Sequence, residues 1–374
     1  SSRRRHTRYG TVTGVQTCAL PIWGHRILAA FSTTGRPEDL APTIGLRARS
    51  FLANDLALFA LRLGRLAEAR RIRQLDDGWK KTLNKPMAIS GGFQNSSHLA
   101  FTLGQLPEAL AIAAAALAAA EKAEDDDQRK YSLSHRGNAA HGLGEIAEAR
   151  ADFTAATELE ERQPLLSSFL SSLRGLQDSR HLLDLGDLAA ARTLADHGLA
   201  TAQRYKRNHE SPAFHALLAR IDLAEGKDPT PHLDAIRAWT SRTGDMEWII
   251  TAHLLAARHL LAQGDSQGAL AEAESGLLHA STCGYGLLHI ELLIALARIR
   301  LALPDAPGAI QAARDALDRA AHADCRYAWG EADAAQVWGD AYVSNGEPAL
   351  ARRAFQRALE VRQRIAHPGL ARSE

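Results

Sequence analysis

Apolar residues along this chain recur at helical spacing, and the runs are cut at regular intervals by glycine. Leu254, Leu255, Leu260 and Leu261 form one such run, which stops at Gly264. Nearly the same nine residues are written four times: "LGRLAEARR" at 63–71, "LGQLPEALA" at 103–111, "LGEIAEARA" at 143–151 and "LGDLAAART" at 185–193. Their glycines are Gly64, Gly104, Gly144 and Gly186. Similar turns follow at Gly226, Gly264, Pro304 and Gly346, so the successive gaps are 40, 40, 42, 40, 38, 40 and 42. A period near 40 is that of a solenoid built from stacked units.

Small residues keep fixed offsets from each turn. Five residues after it stand alanines in seven of eight units, from Ala69 to Ala351, with Pro231 as the exception. Seven residues before it stand Ala57, Ser97, Gly137, Ser179, Ala219, Ala257, Ala297 and Gly339. Twelve residues after it the residue is again small, except Asp76. Small side chains on both sides of a turn let two helices approach closely, and glycine supplies the helix stop. The pattern therefore predicts antiparallel helix pairs, eight of them over residues 46–367, stacked into an all-α solenoid.

Composition agrees with that reading. Hydrophobic residues make up 46% and charged residues 23%, with aromatics at 6%, and alanine and leucine dominate. The formal net charge of +1 gives no global field that would favour nucleic acid or an acidic membrane. No run approaches the ~18 apolar residues a spanning helix needs; "AIAAAALAAA" (111–120) is followed at once by "EKAEDDD". The three cysteines, Cys18, Cys283 and Cys325, are odd in number and widely spaced, which argues against a disulfide framework and for a reducing, cytoplasmic setting. No HExxH, CxxC, GxSxG or GxxxxGK[ST] occurs. The expectation is a non-catalytic chain without metal or cofactor.

Residues 1–22, "SSRRRHTRYGTVTGVQTCALPI", show no periodicity and lack the apolar core of a secretory signal. They resemble a translated sequencing-adapter read and are expected to be a non-native or disordered leader. Residues 23–45 are expected to be a linker or the remnant of an upstream unit, and 368–374 a tail.

Small residue, seven on to glycine, five on to alanine and seven on to alanine resembles the tetratricopeptide repeat, here in a form longer than the standard 34-residue unit. That resemblance implies a right-handed superhelix with an extended concave groove and no closed pocket, suited to peptides and proteins. Stretches such as "CGYGLLHIELLIALARIRLA" resemble the C-terminal sensor arms of bacterial STAND-type signalling NTPases. The resemblance implies an NTPase module upstream; a stand-alone scaffold or adaptor is the alternative.

The row six residues before each turn reads Leu58, His98, Asn138, Arg180, Arg220, Arg258, Arg298 and Asp340. In tetratricopeptide folds this row faces the groove. Asn138, and Asn95 nine before its turn, match the residue type of the asparagines in carboxylate-clamp members, although the clamp's lysines have no match. Asn54, Gln94 and Tyr131 extend a polar face toward the N-terminal units. Four consecutive arginines form a ladder of guanidinium forks suited to an acidic peptide or a terminal carboxylate. A second reading stands beside it: the row is the polar side of amphipathic helices, its charge absorbed by acids such as Asp178, Asp222 or Glu291. Trp329 and Trp338 fit core or end-cap packing or a binding platform.

Overall fold

The computed structural model describes residues 21–32, 34, 36, 39–40, 43–162, 173–367 and 370. Among them lie seventeen α-helices and no strand beyond one isolated bridge, Ser32 to Leu40. Helix α1 is Pro21–Ala29. It begins inside the stretch expected to be a leader; residues 1–20 of that stretch lie outside the described residues. Sixteen helices then form eight pairs: α2 Leu46–Arg62 with α3 Leu66–Leu83, α4 Pro86–Thr102 with α5 Leu106–Lys122, α6 Asp126–Leu143 with α7 Ile146–Glu161, and α8 Leu173–Asp184 with α9 Leu188–Arg204. The last four are α10 Ser211–Ala224 with α11 Thr230–Thr243, α12 Met246–Ala262 with α13 Ser266–Cys283, α14 Gly286–Ala302 with α15 Ala306–Ala320, and α16 Ala328–Ser344 with α17 Pro348–Arg364.

Each pair crosses at the small residues. Ala149, Ala191, Ala269 and Ala309 are fully buried, as are Ala219, Ala257 and Ala297 opposite them. Where serine takes the place of alanine, its hydroxyl bonds across the crossing. Ser97 donates to the Ala109 carbonyl at 2.8 Å and Ser179 to the Ala191 carbonyl at 2.6 Å. Aspartates open several second helices: Asp187, Asp265 and Asp305 each accept a backbone N–H three residues on. Asp76, the one large residue in its row, is fully buried among Ser50, Arg73 and Lys80. The fifth unit departs most: its second helix is 14 residues long and Ala238 is exposed.

The solenoid does not stay open. After five units the superhelix meets itself, and the turns of units one to three rest on the first-helix N-termini of units six to eight. A Cβ placed on Gly64 would lie 2.7 Å from Cys283 Sγ and 2.9 Å from Met246 Cγ, so only glycine lets the strands of the superhelix touch there. One unit on, Gly104 faces Gly286; next, Gly144 faces Ala328 and Ile365. Two hydrogen bonds cross this seam. The Tyr285 hydroxyl donates to the Leu61 carbonyl at 2.9 Å, and the Trp329 indole N–H to the His141 carbonyl at 2.9 Å. Apolar clusters run straight through it: Ala60, Leu61 and Leu99 with Ile250, Leu254 and Tyr285, then Leu106 and Leu143 with Leu287, Ala328 and Ile365. The expected groove is thereby curled on itself and remains as a partly open cleft on the inner face. The reason is lateral: burying these aliphatic faces at ~25 cal/mol per Å² outweighs leaving the turn ends in water.

Candidate functional site

The interior contains a cavity of about 500 Å³. Its wall is built by the first helices of units four to eight, so the rows of the sequence become its rungs. The row three before each turn supplies Leu183, Leu223 and Leu261; the next position supplies Asp184, Ala224 and Ala262. The arginine row supplies Arg220, Arg258 and Arg298, and unit eight closes the space with Tyr327, Trp329 and Asp333. His367 stands at its edge.

Every rung of the ladder has an acidic neighbour. Arg220 Nη2 donates to Asp184 at 2.7 Å, and Arg180 Nε lies 3.7 Å from the same carboxylate. Arg258 pairs tightly with Glu291 Oε2, whose other oxygen accepts the Tyr327 hydroxyl at 2.7 Å. Arg298 Nη2 donates to Asp333 at 3.0 Å. Burial would raise Glu291, but Arg258, Arg220 and the Tyr327 hydroxyl outweigh it and hold the carboxyl at about 2. Asp184 is likewise held below the usual carboxylate range, against burial, by Arg220 and by the His141 hydrogen bond. Both acids are charged at neutral pH, and the lining is nearly balanced in charge.

Arg180 keeps its guanidinium over the Phe101 ring at 5.7 Å and is not part of the cavity wall. Asn138 is buried and away from the cavity. Asn95 donates to Asn54 at 3.0 Å, inside a network centred on Arg73. His98 packs against His135, ring centroids 6.3 Å apart, and burial lowers it to about 4. The two asparagines and His98 thus sit in the N-terminal units and do not join the arginines in one site. Asp222, expected to serve the ladder, pairs instead with Arg192 at 2.6 Å and with His232.

Asp184, Asp333, Tyr327 and Trp329 were not visible as site residues from the arginine row alone. Two of the ladder's acids do carry a signal: Glu291 and Asp333 stand seven residues before Arg298 and Asp340, two turns up the same helix face. Each meets the arginine of the preceding unit, because neighbouring helices are staggered by those two turns. Trp329 has two duties. It lines the cavity, and it packs tilted against His141 with centroids 4.9 Å apart while bonding across the seam. His141 Nε2 in turn donates to Asp184 at 3.0 Å, and its Nδ1 lies 3.1 Å from His181 Nδ1. Among the described residues no group of histidines, cysteines and acids is placed to hold a metal. Cys283 and Cys325 are free thiols.

A partly open, repeat-built cavity on the inner face of a helical-pair array is the architecture of an α-solenoid. Residues 188–370 match the family described as tetratricopeptide repeat-like domain, and the helix pairs among the described residues share that α-solenoid architecture. A Rap protein complexed with competence and sporulation factor is similar in structure, with a TM-score of 0.57, 10% identity, and 85% of this chain and 99% of that one covered. A STAND protein with a tetratricopeptide repeat sensor from Pyrococcus horikoshii is similar too: TM-score 0.51, 12% identity, covering 100% of this chain and 61% of that one. At these identities the likeness is one of fold. No curated protein matches the chain.

Proposed function

We propose that this chain is a non-catalytic interaction array that holds a short peptide or protein segment in the partly open cavity on its inner face. The observation that carries this is the cavity itself. It is large enough for several residues, apolar along one wall through Leu183, Leu223 and Leu261, and lined elsewhere by ion pairs with unused fork nitrogens. A guanidinium beside a carboxylate offers a donor and an acceptor together, which matches the N–H and C=O of an extended backbone. Because the lining is balanced, an acidic ligand is not required, and affinity falls only modestly with salt. The Rap structure, complexed with competence and sporulation factor, shares the fold and supports a bound partner by likeness.

The test is selection of peptides from a random library on the immobilised chain, followed by calorimetry. Leu261→Trp fills the cavity and is expected to weaken the selected peptides by about tenfold or more with helicity unchanged. Peptides that bind this variant as well as the wild type would place the ligand elsewhere.

A second reading is favoured by the alignment of the STAND structure over the full length of this chain. In it the array is the sensor arm of a cytoplasmic signalling NTPase, and the gene upstream encodes a phosphate-binding loop. Without that loop, the array is a stand-alone adaptor.

A further inference from the structure

We propose that the ring carries a proton-sensitive latch: Asp245 and Glu247, held with Arg62 at the first contact of the seam, keep the turns together when protonated and loosen them when charged. The geometry places them there. Met246, between the two acids in sequence, packs against Gly64 across the seam. Asp245 precedes α12, is 3% exposed, and its side chain does not cap the helix. Glu247 lies one turn-position further in, half-buried. Met246, between the two acids, packs into a seam cluster of apolar and neutral residues that includes Leu61, Leu66, Ile250 and Tyr285.

The groups facing the pair come from every neighbouring element. Helix α2 brings Arg62, and α8 brings Arg180 toward Glu247. From α11 come Trp239 and Thr243, whose hydroxyl accepts the Asp245 N–H at 3.3 Å. The α13–α14 turn brings Cys283 and Tyr285, and beside Arg62 stand His209 and Arg207. Burial pushes Cys283 up and Tyr285 well above its usual range, and pulls His209 down to about 4. Those three stay neutral near pH 7. Burial, only partly offset by Arg62, raises Asp245 and Glu247 each to about 7.

The sign follows from linkage. Both carboxyls bind protons more tightly in the closed ring than in an open one, where they titrate near about 4. Closure is therefore favoured fully below about pH 4, weakens as pH rises toward 7, and is constant above it. Charged carboxylates draw water into an apolar contact, so the seam breathes more at neutral and alkaline pH. That this gates ligand entry rests on the cavity being the binding site; the latch itself does not.

Hydrogen exchange on the ligand-free chain tests it. From about pH 5 to about pH 8, corrected for intrinsic exchange, protection of the segments around Leu61 and Tyr285 is expected to fall at least about tenfold. Amides in the middle of α10 keep theirs. Asp245→Asn with Glu247→Gln is expected to make the seam profile flat. If that double variant does not fold, Arg62→Gln serves instead: without the cation the carboxyls titrate higher, and the loss of protection moves to higher pH. A flat wild-type profile, or an Arg62→Gln profile identical to the wild type, overturns the latch. Should seam protection respond to pH while Leu261→Trp leaves binding of the selected peptides unchanged, the latch stands and the cavity reading fails.

Discussion

Ala149 and Ala309 show how little room a helix crossing leaves. Both are fully buried at the point where the helices of a pair meet. Replacing either with leucine adds three carbons to a site with no void, and is expected to destabilise the chain by ~1–3 kcal/mol, read as a lowered denaturation midpoint. An unchanged midpoint in both variants would mean that the helices can slide apart at no cost. These positions were legible in the sequence because a packing rule forced one residue size at one offset, unit after unit. Asp76 shows the limit of that rule. It stands in the small row, yet Arg73 on the same helix and Ser50 across from it turn the position into a buried ionic cluster. Size periodicity identifies the position but not the chemistry that replaces it.

Between elements, the polar contacts follow the helix stagger rather than the repeat row, which is why the arginine ladder was readable and its partners were only half so. Glu291 could be named from its residue type. Asp333 required knowing that neighbouring helices are offset by two turns, and Asp184, one turn past its own arginine, meets the arginine of the following unit; both are set by packing. The buried contact of Lys130 on α6 with Glu160 on α7, at 2.7 Å, is a sharper case. Neither side chain is exposed, and Asp127 at 2.8 Å and Arg174 at 3.7 Å complete the network. Lys130→Met leaves Glu160 with a distant cation and is expected to cost ~3–5 kcal/mol, while Lys130→Met with Glu160→Leu recovers most of it. A double-mutant cycle by thermal unfolding reads both numbers. A double variant no more stable than the single one would show that the network, and not the pair, holds the two helices.

At the scale of the whole molecule, what the sequence withheld is closure. A period near 40 specifies stacked helix pairs but not the small rotation per unit, and that rotation decides whether turn six misses or meets turn one. Only the seam residues, Gly64, Tyr285, Gly286 and Trp329, record it, and each is unremarkable within its own repeat. Folding of the array also buries histidines that the unfolded chain would wet. Burial, helped by adjacent groups, lowers His98 and His181 to about 4 and His135 to about 3. Free imidazoles titrate near about 6.5, so the unfolded chain binds these protons more tightly than the folded one. Their contribution to stability is complete above pH ~6.5 and is lost as pH falls toward about 4, each histidine accounting for up to about 1.4 kcal/mol per pH unit. The seam carboxyls act in the opposite sense, favouring closure as pH falls through the same range. The two sets separate by location: acid weakens units two to four while it tightens the contact of unit one with unit six. Thermal unfolding is therefore expected to show a midpoint that falls from pH ~6.5 to ~4.5, and to fall less in His135→Gln. If His135→Gln follows the wild-type curve, the acid sensitivity belongs to other groups, and the His98–His135 contact stays neutral without cost to the fold.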